Sequence, residues 1–168
     1  MDKKTFFGFH FVKVAKISLT ETKTDVRYGE QTAFDWDVVV EFIYPGCEQA
    51  SQSTYLVFVD DELKYAGQYS GVFSDRWLLR RNGLWYLDHS KMDYHIQTLL
   101  QSDNPPEVSV WLTLHPYLTS PDGETWNINK ALEQKIIYEL QPEWNRTGKI
   151  APTQGRPLRE ILGTHGQS

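Results

Sequence analysis

The apolar pattern changes period several times along the chain. TYLVFV (54–59) is a dense run of aromatic and β-branched residues, DDE (60–62) is an acidic turn, and LKYAG (63–67) runs back, which predicts an antiparallel hairpin. FSDRWLLRR (73–81) then predicts a helix. Ser74 or Asp75 caps it, Trp77 and Leu78 face inward, and Asn82-Gly83 stops it. SKMDYHIQTLLQ (90–101) is a second helix, with a capping box at Ser90 and Asp93 and a stripe of Met92, Ile96, Leu99 and Leu100. VSVWLTLH (108–115) alternates strictly, so Val108, Val110, Leu112 and Leu114 share one face of a strand. NINKALEQKIIYEL (127–140) is the strongest helix. Asn127 or Asn129 caps it, Leu132, Ile136, Ile137 and Leu140 line one face, Pro142 ends it, and Trp144 covers the end of the core.

Before residue 53 the pattern is less regular. Residues 6–18 read as a strand dense on both faces, and 19–35 are polar and irregular. DWDVVVEFIY (35–44) is β-rich up to the turn signal Pro45-Gly46, and 47–53 reads as a linker. PYLTSPDGETW (116–126) reads as a loop around Pro-Asp-Gly, and the tail 147–168 is punctuated by glycine and proline. The order after residue 53 is strand, strand, helix, helix, strand, helix. It predicts an α+β domain over 53–146, a three-stranded antiparallel sheet flanked by helices. A β-rich extension (1–52) precedes it and a tail (147–168) follows.

Composition narrows the class. Aromatic residues make up 14% of the chain and apolar residues 40%, enough for an ordered core and contrary to the composition of disordered chains. No apolar run approaches the roughly 20 residues that span a bilayer, so no membrane partner is expected. Lys13 and Lys16 interrupt the apolar N-terminus, which reads as a strand rather than a leader. The lone Cys47 excludes an internal disulfide and fits a reducing cytoplasm. The net charge of −5 lacks the basic excess that marks many nucleic-acid binders. Basic residues still cluster locally, at Arg76, Arg80, Arg81 and Lys91. No His-x-x-x-His or Cys-x-x-Cys spacing supports zinc, and no Gly-rich loop of nucleotide-binding type occurs.

The candidate chemistry lies at the ends of these elements. Tyr55 and Tyr65 sit on adjacent antiparallel strands, Arg76 begins the next helix, Glu133 lies beside the stripe of the last helix, and Asn145 follows its end. One carboxylate suffices for Mg²⁺, which keeps most of its waters. An arginine forks onto a phosphate. A tyrosine near both can take a proton from water. Singly, each residue has an ordinary structural role. Together they form a minimal kit for phosphodiester hydrolysis.

The order and spacing resemble the GIY-YIG nuclease superfamily. STY (53–55) stands where Gly-Ile-Tyr is usual, YAG (65–67) where Tyr-Ile-Gly is usual, and Arg76 follows at the customary interval. EQKIIYELQPEWN (133–145) is similar to the ending of restriction-type members. Ser53 replaces the first glycine, and Arg80 stands where many members carry a histidine. The resemblance implies a DNA endonuclease using Mg²⁺ or Mn²⁺. Tyr55, Tyr65, Arg76 and Glu133 would be catalytic, with Glu133 the metal ligand. Arg80, Arg81, Lys91 and Asn145 would bind substrate, and a homodimer is compatible with it. The acidic balance and Ser53 favour an alternative, a catalytically silent domain that binds nucleic acid or protein.

Overall fold

The structure is a computed structural model that describes residues 1–21, 27–28, 31–32, 36–73 and 92–149. In chain order its strands are β1 (Lys3–Phe6), β2 (Phe9–Glu21), β3 (Arg27–Tyr28), β4 (Gln31–Thr32), β5 (Trp36–Phe42), β6 (Thr54–Val59), β7 (Glu62–Gln68), β8 (Val108–Thr113), β9 (Tyr117–Thr119) and β10 (Thr125–Asn127). Among the described residues the helical elements of more than one turn are α1 (Met92–Leu100) and α2 (Asn129–Leu140).

The three-stranded expectation is corrected. The main sheet has six antiparallel strands in the order β1-β2-β8-β6-β7, with β5 also paired to β2, so the described chain is mostly β. The difference lies in β2. This strand of 13 residues pairs with β8 along one side (Ile17 opposite Val108, Phe11 opposite Thr113) and with β1 and then β5 along the other. In the first fifty residues β1, β2 and β5 therefore extend the sheet itself, while β3 and β4 pair only with each other. A bulge between Lys13 and Ala15 bends the long strand. Beside it, Lys13 and Lys16 both pair with Glu107, and they hold the carboxyl of Glu107 below its ordinary range.

Both faces of the centre are covered. Tyr55, Val57 and Val59 of β6 join Val108, Val110, Leu112, Ala15 and Ile17 under Met92 and Ile96 of α1, with Phe73 and Trp144. On the other face Leu56, Phe58, Phe11, Ala66 and Trp111 meet Leu132, Ile136 and Ile137 of α2. Every residue of β6 and β8 is buried as a result, including Ser109 and Thr113. A strand covered on both sides needs apolar or hydrogen-bonded residues at successive positions, which explains the unbroken TYLVFV run.

The hairpin 54–67, the helix 90–101, the strand 108–115 and the helix 127–140 appear within a few residues of expectation, and Trp144 closes the core. Leu114 and Leu140 leave their stripes and are exposed. The expected loop 116–126 instead forms the β9–β10 hairpin, with Trp126 opposite Leu118. The helix expected over 73–81 lies outside the described residues beyond Phe73.

Candidate functional site

The YAG stretch lies in the second half of β7. Gly67 lies opposite Tyr55 and Tyr65 opposite Val57, so both tyrosines share the face that α1 covers. Their rings stack with centroids 5.9 Å apart and planes 29° apart. The Tyr55 ring passes directly over Gly67. A Cβ added there would stand 2.5 Å from both Cζ and the hydroxyl oxygen of Tyr55. This glycine is therefore required for space, since a methyl group cannot share that volume. Tyr55 is 2% exposed, whereas Tyr65 is half-buried.

Register on β7 depends on a bulge. Val57 pairs with Tyr65 and Phe58 with Leu63, leaving Lys64 as the extra residue. The bulge sends Leu63 into one core and Tyr65 against the other.

Glu133 lies one turn into α2, next to the buried Leu132. Its carboxyl titrates above the ordinary range because burial disfavours the charge, while the Gln68 backbone N–H and the field of Lys130 oppose that shift. Gln68 follows Gly67 directly. The tyrosine pair lies on the sheet face that α1 covers, whereas Glu133 stands on α2, which packs on the other face. Among the described residues no lysine or arginine forms an ion pair with Glu133.

Asn145 is buried, and both ends of its amide are engaged. Nδ2 donates to the Ala66 carbonyl at 2.8 Å, and Oδ1 accepts from the Ala66 N–H at 2.9 Å. Arg76, Arg80, Arg81 and Lys91 lie outside the described residues. Gln68 was not among the sequence candidates. Its contribution is a backbone N–H, which no side-chain pattern encodes.

The described residues hold no group of three or more His, Cys, Asp or Glu side chains able to share a metal. A closed zinc-type site is therefore not built from them. A hard cation that keeps its waters and takes one carboxylate is compatible with Glu133, whose partly buried charge a cation would offset. No described helix is long and apolar enough to cross a membrane.

Elsewhere, exposed apolar side chains gather at a groove of about 470 Å³ lined by Phe7, Phe9, Leu114 and Leu118 among others, beside Trp126. No protein-family model, curated protein or solved structure matches this chain.

Proposed function

We propose that the chain is a metal-dependent endonuclease of the GIY-YIG kind that hydrolyses DNA phosphodiester bonds. Two features support this reading: Tyr55 and Tyr65 stack over the Gly67 end of β7, and Glu133 is a half-buried carboxylate on the neighbouring helix α2. Glu133 would hold Mg²⁺ or Mn²⁺, and the ion when bound would neutralise charge on the scissile phosphate. Tyr65, the more exposed of the pair, orients the attacking water and, acting as its phenolate, takes the water's proton to become the neutral phenol. Tyr55 fixes the Tyr65 ring by stacking. Arg76 forks onto the phosphate, and Arg80, Arg81 and Lys91 neutralise the neighbouring backbone. Asn145 acts on substrate only indirectly, because Ala66 occupies its amide. The activity is proposed for a reducing cytoplasm, where Cys47 stays a thiol.

The test is incubation of the purified protein with supercoiled plasmid and Mg²⁺ or Mn²⁺, beside Glu133→Ala and Arg76→Ala. The wild type is expected to nick the plasmid and each variant to lose at least 100-fold in rate. Linearisation without a nicked intermediate indicates two sites acting together in a homodimer. Absence of cleavage, or cleavage that survives both substitutions, rejects the enzyme.

A second reading is a catalytically silent binding module. The near-complete burial of Tyr55 favours it, as does the exposed apolar groove between the β1–β2 turn and β9. It predicts no cleavage by a protein that nonetheless binds a partner.

A further inference from the structure

The segment after α2 runs beside β7 like a substitute strand. β7 ends the sheet, so its outward backbone groups have no strand partner among the described residues. Two successive outward positions are taken up instead. The Lys64 carbonyl, exposed by the bulge, accepts from the Trp144 N–H at 2.9 Å. Ala66 exchanges both of its groups with the Asn145 amide. The segment is itself pinned. Lys64 pairs with Glu143 at 2.6 Å, the Asn145 N–H returns to the Pro142 carbonyl, and His95 of α1 stacks on Trp144 at 5.2 Å with planes 9° apart.

We infer that Asn145 is a positioning residue that holds β7 in the one setting where Gly67 lies under Tyr55. Ala66 sits between Tyr65 and Gly67, so its two bonds to Asn145 fix the strand between the residues that carry the site. An amide is the side chain suited to this task, because it matches a backbone donor and a backbone acceptor at once. Alanine leaves both groups of a buried backbone unit unsatisfied. Aspartate keeps the acceptor for the Ala66 N–H and sets a charge against its carbonyl. The inference rests on the nuclease reading for its kinetic consequence only.

Two measurements on the full chain test it, with Asn145→Ala and Asn145→Asp beside the wild type. Amide hydrogen exchange reads the clamp without any activity. Loss of the Asn145 bonds should accelerate exchange at Ala66 and at the adjacent Gln68 by at least 10-fold. In cleavage assays both variants should lose at least 10-fold in kcat with KM within about twofold. Exchange at Ala66 and Gln68 unchanged from the wild type, in whichever variant folds, would overturn the inference. If the wild type cleaves nothing, the nuclease reading fails and the exchange still decides the clamp.

Discussion

The ring of Tyr55 occupies the space that a side chain on Gly67 would need, with its hydroxyl oxygen 2.5 Å from where a Cβ would stand. Gly67 lies inside a strand and has no left-handed backbone to excuse it. Conformational entropy alone would favour alanine there by roughly 0.5–1 kcal/mol. The clash decides otherwise.

Gly67→Ala is expected to destabilise the fold by about 1–3 kcal/mol, the usual cost of overpacking a filled site. Urea denaturation measures it. Combining it with Tyr55→Leu should recover part of the loss, a coupling of about 0.5–3 kcal/mol that identifies the ring as the cause.

Glu133 gives stability a specific pH dependence. Its folded carboxyl titrates above its unfolded value, chiefly through burial, so the folded state holds the proton more tightly. The penalty is absent below the unfolded value of about 4.3 and develops as pH rises through the folded midpoint. Glu133→Gln should therefore raise Tm at pH 7, with the difference from wild type vanishing near pH 4. Scanning calorimetry across this range reads it, and equal Tm values at pH 7 would refute the burial argument.

Tyr65→Phe keeps the ring stack on Tyr55 and removes one hydroxyl. Under the nuclease reading it lowers kcat by about 10²–10⁴, the range for losing a proton-transfer group. Stability should stay within about 0.5 kcal/mol, since the phenol is half-exposed. Single-turnover cleavage alongside a urea titration separates the two effects.

Phe7 is held at φ 53° and Gly8 at φ 83° in the turn between β1 and β2. Left-handed backbone is strained for a bulky residue and natural for Asn. Lys135 stands 4.7 Å above the Phe7 ring and recovers some of that cost. Phe7→Asn should leave the fold as stable or raise stability by up to about 1 kcal/mol, as thermal denaturation will report.

That turn also explains what the sequence concealed. Phe6-Phe7-Gly8-Phe9 carries no Asn-Gly or Asp-Gly signal, so the apolar run reads as one strand where the chain folds a hairpin. The pairing of β2 with β8 joins residues nearly a hundred positions apart, and no local pattern encodes that register. The β9–β10 pair hides because Pro-Asp-Gly signals a turn while three-residue strands carry too little alternation to show. By contrast, β6 and β7 were readable from an unbroken apolar run and the acidic turn after it, and β8 and α2 from their periodic apolar stripes. The placing of Tyr55 and Tyr65 on adjacent antiparallel strands was readable from their spacing. The role of Asn145 as a backbone partner was not, because a side-chain amide facing Ala66 looks the same in sequence as one facing a ligand.

The most direct measurement of the central claim is a titration of the protein with Mn²⁺, followed by nuclear magnetic resonance of the Gln68 amide and the Tyr55 and Tyr65 rings. The account predicts that all three signals broaden together at low Mn²⁺ and that Glu133→Gln abolishes the effect. Broadening confined to other carboxylates, or equal broadening in the variant, would contradict it.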